Sequence, residues 1–235
     1  VIDNTNSLQL STGNSGLKQE VSHNLIFRYS SANIERSSLY YFGTRVKVDQ
    51  DHISNSLYIP ASDTSLQGVE IKKGTRLTMP ENFNGYYNGS IFMNYGIPLE
   101  FIRCNLNLNS SLSLSRNPGR INSEIGYSLD RAIALGLALV SNISDRIDFT
   151  ISSNSSYSVP VSSFNEALSE NYLFQLSRLK LLWILPYGFI FDTRLTHSIY
   201  KGLSEGYDQS FALLDLSIGK KLFKNQRGEV TVSVR

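Results

Sequence analysis

The chain has 235 residues, of which 41% are hydrophobic and 18% charged, with a formal net charge of +2. That near-neutral balance supplies neither the basic field that attracts nucleic acid nor an acidic tail. The single cysteine, Cys104, excludes an internal disulfide and a cysteine-based zinc or iron–sulfur site.

Ser, Asn, Thr and Gly make up for the low charge. Disordered chains are also polar but are poor in aromatics, whereas this one has 13 Tyr and 12 Phe. No segment reads as a membrane-crossing helix: the best apolar run, Leu181 to Phe191, is broken by Pro186 and Gly188 and falls far short of about 20 residues. The opening Val1-Ile2-Asp3-Asn4 has no basic region followed by an apolar one. The expectation is that a leader has been removed or that the chain begins inside a longer protein.

In chain order, Val21–Tyr29 and Leu39–Val48 read as two strands joined by a turn at Asn33-Ile34-Glu35-Arg36. Asp49–Asn84 alternates poorly and is expected to form a long loop with short strands of its own. Ile102–Ser115 is the clearest element. Its even positions, Ile102, Cys104, Leu106, Leu108, Ser110, Leu112 and Leu114, are mainly apolar. Its odd positions, Arg103, Asn105, Asn107, Asn109, Ser111, Ser113 and Ser115, all carry hydrogen-bonding groups. A strand points successive side chains to opposite faces, so one face is oily and the other wet. The run is more than twice the usual strand of roughly 5–6 residues, a length suited to a wall between lipid and water.

Later segments repeat the pattern: Ile133 to Leu139, Ile147 to Ser152, Phe189 to Ile199, Ala212 to Ile218, and Val230, Val232 and Val234. Asn171–Leu185 is mixed, and Phe164–Leu173 carries a weak helical period. Short turns are expected at Gly96-Ile97-Pro98, Asn142–Asp145, Pro186-Tyr187-Gly188 and Lys224–Gly228. Long polar loops are expected at Ser115–Asp130, Ser155–Glu170 and Tyr200–Gln209. Short turns on one edge and long loops on the other are the asymmetry of outer-membrane barrels. Tyr40, Tyr95, Trp183, Tyr187 and Phe189 lie near strand ends, where amphipathic rings meet a lipid–water interface. Aromatics favour any strand, so that placement has a plainer explanation too. Gly228–Arg235 stops in mid-alternation, and the chain reads as a fragment.

Two stretches resemble a known family. Leu10 to Glu20, reading LSTGNSGLKQE, is similar to a segment that opens a strand in TonB-dependent receptors. Leu213 to Val230 resembles the near-terminal hairpin of the related outer-membrane β-barrel family of Bacteroidetes. Ser141–Ser144 and Pro186–Phe189 look like that family's intervening turns. The resemblance implies the C-terminal portion of a barrel of about 22 strands, lacking its plug domain and final strands. It implies localisation in the bacterial outer membrane and nutrient uptake gated by a plug and driven by the TonB system. A surface lipoprotein is an optional partner.

Catalytic and metal chemistry finds little support. His23, His52 and His197 are isolated in sequence. Asp49-Gln50-Asp51-His52 offers oxygen and imidazole ligands, though a polar loop explains it more simply. Asp145, Asp148, Glu166 and Glu170 show no pairing for acid–base work. There is no nucleophile elbow, phosphate loop or dinucleotide fingerprint. Asn88-Gly89-Ser90 and Asn142-Ile143-Ser144 match glycosylation sequons, which matter only in a eukaryotic secretory setting. Cys104 falls on the apolar face as packing.

The expected fold is therefore all-β: one antiparallel transmembrane barrel segment of about ten long strands over residues 1–235. Neither catalysis nor a cofactor nor a resident metal is expected. Lumen candidates are Arg103, Asn105, Asn107, Asn109 and Ser111. Lipid-facing candidates are Ile102, Leu106, Leu108, Leu112 and Leu114. The alternative is a secreted soluble β-sandwich for adhesion or glycan binding, since a sandwich strand also has one buried and one wet face.

Overall fold

The computed structural model describes residues 2–3, 9–35, 37–66, 69–141, 143–165, 169–202, 208–223 and 227–234. Parts of the expected turns at 33–36, 142–145 and 224–228, of the 200–209 loop and of the weakly helical 164–173 stretch lie outside these residues, as do Asn142 and Glu166.

The described fold is all-β. The strands are β1 (Ile2–Asp3), β2 (Gln9–Thr12), β3 (Val21–Asn33), β4 (Ser38–Gln50), β5 (His52–Tyr58), β6 (Thr64–Leu66), β7 (Val69–Ile71) and β8 (Arg76–Phe83). They continue as β9 (Tyr86–Leu99), β10 (Cys104–Ile121), β11 (Glu124–Ser141), β12 (Ile147–Ser162), β13 (Tyr172–Ile184), β14 (Phe189–Lys201), β15 (Gln209–Leu222) and β16 (Gly228–Val234). Ten of them, β3, β4 and β9 through β16, form one antiparallel ladder in which each strand pairs with the next. β10 and β11 each run 18 residues, about three times an ordinary strand.

The sheet is not purely antiparallel and, among the described residues, does not close. β2 runs parallel to β8, and β5 meets β10 in a single parallel pair, Ile121 with Leu57. Among the described residues, β3 and β16 each keep one unpaired edge. The parallel joins belong to a small lobe that the expectation of a loop at 49–84 had left unshaped. The β4–β9 hairpin does not end at Gln50: it bends and continues as β5 and β8, from His52↔Phe83 to Tyr58↔Leu77. Both chains turn the bend through left-handed residues, Asp51 at φ 50° and Gly85 at φ 89°. Residues 9–20 lie against β8, where the Asn82 side chain bonds both the Lys18 amide (2.7 Å) and the Lys18 carbonyl (3.0 Å). Leu10, Ile71 and Leu77 form this lobe's buried core.

Three sequence expectations fail along β9 to β12. Ser115–Asp130 is no loop but the two arms of a hairpin closed by Asn122 and Ser123. The arms are polar because they project beyond the apolar part of the sheet, not because the ladder stops. The tip is held by the lobe: Asn122 donates from its amide to the Leu57 carbonyl (2.7 Å) and accepts from the Ile59 amide (2.7 Å). Likewise Ser155–Ser162 is strand. At the other end, Gly96-Ile97-Pro98 belongs to β9, and the turn is a short 3-10 helix at Glu100–Ile102 followed by Arg103 at φ 51°. Ile102 and Arg103 therefore leave the strand, despite continuing its alternation.

Candidate functional site

The register of the ladder sorts side chains onto two faces. One face takes Leu106, Leu108, Leu112 and Leu114, as expected, and joins them to Tyr95 and Ile91 on β9 and to Leu139, Leu137 and Ile133 on β11. Ile102 is not among them. This face is uncovered: Leu25 is 66% exposed, Leu137 51% and Val232 70%. Asn105, Asn107, Asn109 and Ser111 share the other face, beside Arg45, Lys47, Asn154 and Arg178 on neighbouring strands. Arg103 stands apart in the turn. Gly136 lies between Asn109 and Asn154, whose side-chain oxygens occupy the space that a Cβ would need.

On the uncovered face the apolar residues form a belt that drifts across the register. The line of paired residues through Phe27 runs Thr44, Ile91, Leu112, Ile133, Tyr157, Leu173 and Lys201. It starts in the middle of β3's apolar stretch and ends, on β14, at a charge. The belt's middle on β13 to β15 is instead the line Leu181, Thr193 and Leu216, eight residues lower on β13 than Leu173. That drift is roughly one residue per strand. With a rise of about 3.3 Å per residue and strands about 4.8 Å apart, a level belt requires strands tilted by about 35°.

Both margins of the belt are marked. Along the edge nearer the lobe, polar groups break the apolar face: His23, Arg116, Arg131, then Ser153, Gln175, Ser177 and His197. Several satisfy one another, with Gln175 Nε2 donating to Ser153 and Ser177 at 3.4 Å and His197 Nε2 lying 3.0 Å from the Ser210 hydroxyl. Along the opposite edge stand rings. Tyr40 lies 6.1 Å from Tyr29 and 6.3 Å from Tyr95, while Trp183 and Phe189 continue the line. Lys220 lies over the Phe189 ring at 3.9 Å and bonds the Tyr187 carbonyl.

A charged cluster sits on the polar face where the sheet bends into the lobe. Asp49, at the end of β4, is fully covered and accepts from Lys47 Nζ at 2.7 Å. His52 Nδ1 lies 3.1 Å from Asp49 and 2.9 Å from Glu20. Glu20 also takes the Ile53 amide at 2.8 Å, linking the segment before β3 to β5. The His52 ring stacks on Tyr86 at 3.9 Å. Asp49 and His52 were legible as a polar pair; Asp51 does not join them. Lys47 was legible only as a same-face neighbour of Asp49, and Glu20 and Tyr86 reach the cluster through strand pairing alone. Glu20, Asp49 and His52 present donor atoms within 4.8 Å of one another, a spacing open to a metal ion. The Lys47 ammonium, however, already supplies the positive charge there. The arrangement ties three segments together by charge.

Comparison with known proteins finds no matching family model, no matching curated protein and no matching solved structure.

Proposed function

We propose that the ten-stranded sheet is part of the wall of an outer-membrane β-barrel, in a nutrient transporter of the kind the TonB-dependent receptors represent. The observation that carries this reading is the drifting belt. Transmembrane strands tilt by about 35–45°, so a level lipid layer must cross them at a register that moves steadily from strand to strand. A sandwich strand has to match only the sheet that covers it. Among the described residues the one other sheet is the two-stranded β6–β7 pair, too small to cover this face.

In this reading the apolar face, with Leu106, Leu108, Leu112 and Leu114, meets lipid. The polar face, with Asn105, Asn107, Asn109 and Ser111, lines a wet interior. The lobe and the Glu20–Lys47–Asp49–His52 cluster stand at the outer mouth, where ligands arrive. In hydrocarbon the edges that β3 and β16 leave unpaired among the described residues are closed by further strands, of this protein or of a second copy, since lipid does not tolerate open ladder edges. Plug domain and TonB system complete the transport cycle at the level of the resembled family: ligand binds outside, and coupled energy moves the plug. This chain's part is the wall, the lumen surface and the ligand-facing lobe.

The test is cysteine labelling in Cys104→Ser membranes. Cysteines replacing Asn107 and Asn109 should react with a charged, water-soluble maleimide. Cysteines replacing Leu108 and Leu137 should react only with a membrane-soluble reagent. Uniform labelling by the charged reagent removes the barrel and favours the soluble sandwich.

A further inference from the structure

The belt is not uniform. At its lobe-side margin the apolar face is dented by a groove of about 500 Å³. The dent has a cause in the sequence. Gly89 on β9, lying between Val46 and Leu114, has no side chain to fill its place in the row, and Thr44 is small. The floor and walls are Val46, Ile91, Leu112 and Ile133, with Tyr157 and Val159 beyond. One charge enters this apolar lining: Arg131, paired with Leu114 on one side and Val159 on the other. Arg131 is exposed and makes no ion pair or hydrogen bond among the described residues. Its neighbour across the ladder diagonal, Arg116, is held in place by the Gly85 carbonyl (2.6 Å) and the Tyr127 ring (4.4 Å). Among the described residues no carboxylate on this face neutralises the pair: Asp130 alternates to the other face, and the Arg120–Glu81 bridge is closed on itself.

An unpaired guanidinium at the end of a hydrocarbon-lined groove is costly unless an anion meets it, and its planar fork suits phosphate oxygens. We infer that the groove is a binding site for an anionic, phosphate-bearing lipid. One acyl chain lies along the Gly89 dent and the phosphate lies on Arg131. The inference rests on the membrane reading above and adds what that reading does not require, a headgroup preference at one place on the wall. The polarity of the site agrees with the belt: Arg131 sits on the margin where polar groups replace apolar ones, and the groove descends from it toward the belt's middle.

The test is tryptophan quenching by brominated lipids, and the chain's single tryptophan provides an internal control. Two proteins are reconstituted in bilayers of unlabelled phosphatidylcholine with a minor fraction of either brominated phosphatidylglycerol or brominated phosphatidylcholine. The unchanged chain reports through Trp183, at the far margin from the groove. The double variant Ile91→Trp, Trp183→Phe reports from the groove floor, near the belt's middle. Trp183 is expected to be quenched equally by both lipids. The groove tryptophan is expected to favour phosphatidylglycerol by about five-fold, the weight of one cation at an anionic lipid surface. Arg131→Gln should bring that ratio to one, and Arg131→Lys should restore most of it. Equal quenching of the groove tryptophan by both lipids, with Trp183 quenched, overturns the lipid site and leaves the membrane reading standing. Selectivity that survives Arg131→Gln overturns it too. A Trp183 untouched by either lipid overturns the membrane reading, and the lipid site falls with it.

Discussion

Arginine placed at Leu181 should destabilise the bilayer-inserted chain by about 2–4 kcal/mol, whereas arginine at Leu173 should cost about 0–1. The two residues lie on the same face of β13, separated by eight residues. Eight residues span about 26 Å along an extended strand, or about 21 Å along the membrane normal at a tilt near 35°. The apolar band of such barrels is about 25 Å tall, so a residue about 21 Å from its middle has left the hydrocarbon. Leu181 sits at the belt's middle on β13. Leu173 sits on the register line of Phe27, which is mid-belt on β3. Phe27→Arg should therefore cost about as much as Leu181→Arg, although its registered partner Leu173 tolerates the change. The assay is urea-driven unfolding in lipid bicelles, followed by circular dichroism, for the three arginine variants. Equal costs at Leu173 and Leu181 would refute the tilted belt. Negligible costs at both Phe27 and Leu181 would refute lipid contact altogether.

Gly85→Ala should destabilise the bend between sheet and lobe by about 1–2 kcal/mol, because a left-handed φ of 89° strains any Cβ and the new atom displaces the Arg116 guanidinium; a urea midpoint unchanged from the parent would contradict this. Asp49→Asn should loosen the charged cluster by roughly 1–2 kcal/mol, discounted because Lys47 is 30% exposed. It should appear as faster amide exchange at Ile53 and through residues 9–20, with exchange in β12 to β14 unchanged. Trypsin added to intact cells should cut after Lys72 or Lys73, both exposed in the lobe, and spare the exposed Arg146 until the membrane is permeabilised; early cleavage at Arg146 would reverse the orientation. In plain buffer the chain should aggregate, since β3 and β16 offer unpaired edges beside a broad apolar face; a monodisperse, cooperatively unfolding monomer would count against the wall.

Strand alternation was visible in the residues themselves, because side-chain direction in an extended chain depends only on position parity. That parity put Asn105 to Ser111 on one face and Leu106 to Leu114 on the other before any neighbour was known. It misled at Ile102 and Arg103, where alternation continues through a turn whose left-handed residue takes the chain out of the strand. It misled again at Ser115–Asp130, where polar side chains signal departure from the apolar belt and not from the ladder. Hydrogen bonding between strands uses backbone groups, which polar and apolar residues supply alike. Which strands pair, and at what offset, is a property of the tertiary structure. Only the register revealed that the belt drifts by one residue per strand. Only pairing brought Glu20 to His52, emptied the row at Gly89 beneath Arg131, and bent the β4–β9 hairpin into a lobe with its own core of Leu10, Ile71 and Leu77. Such contacts join residues tens of positions apart, and local periodicity carries no information about them.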